Sequence, residues 1–254
     1  MNSGLGRLSG NSVIITGGTQ GIGKALVLKF AKEGADVLFC YLSSKDSSDN
    51  LMGQTSNFSG TTIGIQADIR DRGQVEALVN VAGEKFGRVD TLINNAHQPY
   101  ERKWFEDTAW EEFQREIDTL VQGPFNVVQS ALPYLKVNGG SIINISSTMA
   151  QLPLMQHSFY ATAKSALVGL TKSLSLELGK YGIRVNVVTP GPLETNHNTG
   201  LPKEVMEQLV NDTPLYGRMG TCEEVADSIF LLALPESRLI TGTNIHSSGG
   251  FSIF

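Results

Sequence analysis

The chain has 254 residues, 41% of them hydrophobic and 18% charged, enough to bury a sizeable core, and no linker-like stretch divides it, so a single domain over 1–254 is expected. Twenty Lys and Arg against 25 Asp and Glu leave a net charge of −5 with no basic block, which argues against a nucleic-acid partner. No apolar run approaches the ~20 residues of a bilayer span, and Met1 to Gly10 lacks the charged-then-apolar order of a secretory signal. No membrane association is therefore expected, and the location read from this is cytoplasmic. The 2 cysteines, Cys40 and Cys222, and the 4 scattered histidines make neither a disulfide framework nor a metal-ligand set, so no metal is expected.

Short runs rich in β-branched residues alternate with longer amphipathic stretches, the pattern of βαβ units and a parallel sheet. Strands are predicted at Ser12–Thr16, Val37–Tyr41, Thr62–Gln66, Val89–Asn94, Ser141–Ile145, Arg184–Thr189 and Asn244–His246. The first helix is predicted over Ile22–Glu33, stopped by Gly34. Thr108 and Glu111 have capping-box spacing, which predicts a long helix from 108 to about 135. A further helix is read over 159–178, and Thr221 with Glu224 opens another. Between Pro190 and Gly220 no single period dominates; a mobile substrate lid over 192–218, with one or two short helices, is expected there.

Two motifs carry chemistry. The stretch from Thr16 to Gly23 follows a strand and opens a helix, where small residues let backbone N–H groups approach a diphosphate at the positive helix end. Taken alone it could be no more than a tight turn. Tyr160 and Lys164 stand one helical turn apart, and Ser147 lies at the carboxyl end of the fifth strand, the edge where open α/β sheets hold ligands. A Tyr and a Lys at this spacing would ordinarily be a surface pair; its combination with the glycine turn and Ser147 is what points to a site.

With these motifs, and with Asp68, Asn94-Asn95-Ala96, Asn186, Pro190-Gly191 and Thr195 in the same order, the chain resembles the short-chain dehydrogenase/reductase family along nearly its whole length. It is similar to the single-domain 3-oxoacyl reductases. The resemblance implies a doubly wound, Rossmann-like α/β fold with about seven parallel strands, helices on both faces, and a homotetramer or dimer built through the helices at 108–135 and 159–178. It implies Ser147, Tyr160 and Lys164 as catalytic residues. Cofactor contacts would come from Gly17, Thr19, Gln20, Gly21, Ile22 and Gly23; Asp68 and Ile69 at the adenine; Asn94 and Ala96 at its ribose; and Pro190, Gly191 and Thr195 nearer the nicotinamide. Tyr160 and Lys164 complete the set, Lys164 binding the nicotinamide ribose, and Asn186 is read as structural, satisfying backbone beside the sheet.

Reducing a carbonyl leaves charge on oxygen, so the site needs a donor and a proton source. Tyr160 is read as general acid and Ser147 as holder of the carbonyl oxygen. An ammonium ~5 Å from a phenolate contributes ~3 kcal/mol at an effective dielectric of ~20, so Lys164 is expected to lower the Tyr160 pKa. In place of an acid at the end of the second strand, Tyr41 is followed by Ser43, Ser44 and Lys45, which favours NADPH over NADH. Against that, Gln20 stands where many NADP-dependent relatives have a basic residue.

Three departures from the family pattern stand out. Leu120 occupies the position, three before Gly123, of an Asn that anchors a proton-feeding water; Thr119, Gln122 or a local bulge is expected to substitute, or proton delivery is slower. His97 replaces a Gly after Ala96, and Ser248 precedes Gly249-Gly250 where Asp is frequent. Substrate contacts are read at His97, Met149, Gln151, His157 and Leu193. The functional reading is an NADPH-dependent carbonyl reductase acting on a small molecule. Alternatives are an NAD-dependent alcohol dehydrogenase of the same family and a catalytically impaired nucleotide-binding regulator. The four-residue Tyr–Lys spacing argues against the family's enoyl reductases, which space the pair further apart.

Overall fold

The strands sit in a sheet whose two faces are both covered, because their apolar residues alternate sides. In the computed structural model, which describes residues 6–194, 203–215 and 217–251, β1 (Ser12–Thr16) is buried at all five positions. Val13 and Ile15 face one apolar cluster and Ile14 the other. The remaining strands are β2 (Asp36–Tyr41), β3 (Thr62–Gln66), β4 (Thr91–Asn94), β5 (Gly140–Ile145), β6 (Ile183–Pro190) and β7 (Asn244–Ser247). All pair in parallel in the order β3-β2-β1-β4-β5-β6-β7, the seven-stranded sheet the sequence predicts.

The helices are α1 (Gly21–Lys32), α2 (Lys45–Thr55), α3 (Arg72–Phe86), α4 (Trp110–Ile117), α5 (Gly123–Asn138), α6 (Ser158–Leu178), α7 (Lys203–Asn211) and α8 (Cys222–Ala233). On one face, Phe30 of α1 meets Phe230 of α8 edge-on, ring centroids 5.6 Å apart, over Val37, Phe39 and Val188 of the sheet. On the other face, α3 and α5 bring Leu78, Val127 and Leu135 onto Leu38, Leu92 and Val185. Each such side chain contributes ~1.5–3 kcal/mol when removed from water.

The predicted long helix at 108–135 forms with two differences. Thr108 does not cap it, because its hydroxyl donates to the Trp104 carbonyl at 2.8 Å; the helix starts two residues later, and the Glu112 carboxylate accepts the Ala109 N–H at 3.1 Å. The helix is also interrupted by a π-helical segment, Asp118–Gln122, between α4 and α5. The box at Thr221 does form: Thr221 accepts from the Glu224 N–H, and Glu224 accepts from the Thr221 N–H at 2.9 Å. Of the stretch read as a lid, α7 is described, and its two ends are pinned where Glu194 donates to the Gly220 carbonyl and Gly220 to that of Pro192.

Strand order reverses between β1 and β4, so the crossovers leave in opposite directions and a crevice opens at the carboxyl ends of these strands. Gly17, Asn95 and Ser146-Ser147 follow directly from β1, β4 and β5. The topology brings them to one edge.

Candidate active site

At that edge lies a cleft of about 700 Å³, within the ~300–1,000 Å³ of ligand pockets. Its floor is the turn between β1 and α1. Gly17 has φ +70°, and a Cβ there would come within 2.8 Å of the Ala96 Cα; a Cβ at Gly23 would lie 2.0 Å from the Gly17 carbonyl oxygen. Glycine is thus required for the turn to close against both the strand end and its own helix. Asn95 fixes it: its side-chain amide donates to the carbonyls of Thr16 and Gly17, each at 3.0 Å, while the Thr16 hydroxyl accepts the N–H groups of Asn95 and Ala96.

Most of the residues assigned to a cofactor line this cleft: Gly17, Thr19, Gln20, Gly21, Ile22, Tyr41, Ser43, Ser44, Asp68, Ile69, Ala96, Pro190 and Gly191. Three assignments differ. Gly23 is buried behind the turn and shapes it. Lys45 does not reach the wall, since its ammonium turns along α2 to Asp49 at 2.7 Å. Asn94 faces inward, its amide donating to Asn144, which in turn donates to Thr171, so the wall at this point is Asn95 and Ala96. Thr195 lies outside the described residues, as do 196–202 and Tyr216 of the stretch read as a lid. Asn186 is fully buried, donating to the Ile240 carbonyl and accepting the Thr243 N–H, the structural role expected of it.

Ser147, Tyr160 and Lys164 meet at the other end of the cleft. Ser147 caps a single 3₁₀ turn, its hydroxyl accepting the Met149 N–H at 3.2 Å, and it hydrogen-bonds the Tyr160 phenol. Lys164, 4% exposed, donates to the Ile145 carbonyl at 2.6 Å and stands 5.6 Å from the centre of the Tyr160 ring. Its pKa is brought down to about 8 by burial, with the Glu116 carboxylate drawing it back up. Tyr160 departs from expectation. Burial pushes it up to about 12, the Ser147 hydrogen bond draws it down, and Glu116 adds to the rise. Desolvation of the phenolate therefore dominates its proton affinity.

Two further side chains pack behind this end of the cleft. Tyr100 lies 5.0 Å from the Tyr160 ring and shares a 2.8 Å hydrogen bond with Nδ1 of His157. His157 is thereby buried and its pKa lowered, and it forms no part of the cleft wall. Gln151 is exposed and also stands away from the wall. His97, Met149 and Leu193 do line it, His97 packing edge-on to Tyr160 at 5.4 Å. Around Leu120, itself 2% exposed, the expected bulge is present. Thr119 reaches the cleft and accepts from Gln98 at 2.6 Å, whereas Gln122 is exposed. Sequence reasoning missed Asn95, Tyr100 and the buried Glu116. Among the described residues, no three His, Cys, Asp or Glu gather as metal ligands, and no helix is long and apolar enough to cross a membrane.

A glycine turn facing a half-buried tyrosine and a buried lysine across a strand-order reversal marks the class as an α/β oxidoreductase. A family model described as enoyl-(acyl carrier protein) reductase matches residues 17–252. A 3-oxoacyl-[acyl-carrier-protein] reductase, FabG, of Thermotoga maritima is 37% identical over 97% of this chain and 100% of its own. Its counterpart in Staphylococcus aureus is 32% identical over 94% and 97%. Among solved structures, a short-chain dehydrogenase/reductase of Serratia marcescens, in a doubly substituted form, superposes with a TM-score of 0.90 at 35% identity, over 97% of this chain and 100% of its own. A blue fluorescent protein from a metagenomic library, in complex with NADPH, does so with a TM-score of 0.90 at 33% identity, over the same shares. The chain belongs to the short-chain dehydrogenase/reductase family and is an oxidoreductase.

Proposed function

We propose that the protein reduces a ketone with NADPH, Tyr160 acting as general acid. The observation that carries this reading is the convergence of Ser147, Tyr160 and Lys164 on the same cleft as the glycine turn. The residues fit the cofactor. Backbone at Gly17 and Thr19–Ile22 would hold the diphosphate at the start of α1, Asp68, Ile69 and Ala96 the adenosine, and Pro190, Gly191 and Lys164 the nicotinamide side, with Thr195 assigned to its amide. Bound NADPH would supply the hydride. Ser147 orients the carbonyl oxygen, Tyr160 gives it a proton as charge develops, and Lys164 restores the proton of the phenol.

NADPH is favoured over NADH because no carboxylate lines the cleft at the end of β2. Tyr41, Leu42, Ser43 and Ser44 stand there, and Ser44 is the N-cap of α2, where a helix N-terminus and two hydroxyls suit a phosphate. A dehydrogenase working with NAD is the second reading, favoured by the engagement of Lys45 with Asp49. The FabG relatives and the four-residue Tyr–Lys spacing favour a 3-oxoacyl thioester or a similar ketone as substrate. Exposed Phe125 and Leu176 on α5 and α6 support self-association through these helices. Titration with both cofactors, followed by loss of NADPH absorbance on a ketone panel, tests the proposal. Tighter binding of NADH, or no ketone consumed, would reject it.

A further inference from the structure

Behind the tyrosine and lysine lies a carboxylate for which the reduction, as described, has no use. Glu116 sits in the last turn of α4, one turn before Leu120, where α4 packs against α6. It is 3% exposed, and its Oε2 is buried with no hydrogen-bond partner among the described residues. Such an atom costs stability unless a charge or a water meets it. The titratable and charged groups in electrostatic reach of it are Lys164 and Tyr160 from α6, Tyr100 from the segment after β4, itself within reach of Arg102, and Arg115 from its own helix. Of these, Lys164 is the buried cation.

The π-helical segment begins two residues beyond Glu116 and places Thr119 and Leu120 both inside. Leu120 can neither hold a water nor pass a proton. Resting on the reductase reading, we propose that Glu116 is the proton-exchange partner of Lys164 and recharges the lysine after each reduction. The Tyr160 O–H bond breaks as its proton joins the product alkoxide; the phenolate takes a proton from the Lys164 ammonium; the resulting amine takes one from the Glu116 carboxyl; and the carboxylate regains one from water. One proton is consumed per ketone reduced. Glu116 is not part of the cleft wall and acts through Lys164.

The electrostatics match this role. Burial pushes Glu116 up to about 7 while Lys164 and Arg115 draw it down, and burial brings Lys164 down to about 8, so each is shifted toward the other. The Glu116 carboxylate raises the lysine pKa. Removing it leaves Lys164 losing its proton at lower pH, and the alkaline limb of the reduction moves down.

The test compares wild type, Glu116→Gln and Glu116→Asp with NADPH on a ketone panel across pH, alongside infrared titration of the carboxyl stretch in wild type, Glu116→Gln and Lys164→Met. Expected for Glu116→Gln are a kcat lowered about tenfold at pH 8 with KM and NADPH affinity nearly unchanged, an alkaline limb at lower pH, and partial return in Glu116→Asp. A carboxyl band titrating near neutrality should vanish in Glu116→Gln and move to higher pH in Lys164→Met. An active wild type whose pH profile is unaltered in a folded Glu116→Gln overturns the relay alone, as does a Glu116 carboxyl titrating in the ordinary range. A wild type that consumes no ketone overturns the reductase reading and the relay with it.

Discussion

The two ends of the cleft are built from different materials. The end at the glycine turn is backbone held in place by two polar side chains: Gly17 fits only because it lacks a Cβ, and Asn95 and Thr16 fasten the ends of β1 and β4 with hydrogen bonds to main-chain groups. At the Tyr160 end the important groups are side chains with displaced proton affinities, Tyr160 pushed up and Lys164 down by burial, with Glu116 acting on both. Binding and chemistry therefore tolerate different substitutions. A change in the turn alters shape; a change behind Tyr160 alters where protons reside.

This contrast can be broken at either end. The largest effect is expected from Lys164→Met, which removes the cation that restores the phenol's proton: kcat should fall ~10²–10⁴-fold, in steady-state assays, while the fold persists by circular dichroism. Gly17→Val should act on binding. It forces a β-branched residue to φ +70° against Ala96, at ~1–3 kcal/mol of strain, and calorimetry should show NADPH affinity largely lost. Asn95→Ala leaves the carbonyls of Thr16 and Gly17 without their donor, at ~1–3 kcal/mol, and should weaken NADPH while sparing kcat at saturation. The smallest change is expected from Tyr100→Phe, which frees His157 of one hydrogen bond worth ~0.5–1.5 kcal/mol; thermal unfolding should register it, with KM altered more than kcat. If Asn95→Ala reduced kcat at saturation as strongly as Lys164→Met, the division between the ends would fail.

Strands and motifs were legible in the sequence because each depends on local pattern. The alternation of Val13, Ile14 and Ile15 shows a strand covered on both faces, and the spacing of Tyr160 and Lys164 places them on one face of a helix. Neighbours at the end of a strand are harder to read. Asn94 and Asn95 differ only in which way the last residue of β4 points, and this decides that Asn94 joins Asn144 in the interior while Asn95 fastens the turn. Lys45 could be read toward the cleft until α2 brought Asp49 alongside it.

The proton affinities were not legible at all. Chain spacing gives a lysine near the phenol but not the desolvation, which dominates the phenol's proton affinity and arises only once the fold packs His97, Tyr100 and other groups around Tyr160. Glu116 escaped notice for a related reason. A glutamate in a charged helix reads as a solvated face, and only the packing of α4 on α6 buries it within the field of Lys164.

The central claim is that the Tyr160 hydroxyl transfers the proton. Tyr160→Phe at saturating NADPH, on any ketone the wild type consumes, tests it most directly. Cofactor affinity should stay close to wild type while turnover falls at least ~100-fold; undiminished turnover by that variant would mean that the proton comes from another group.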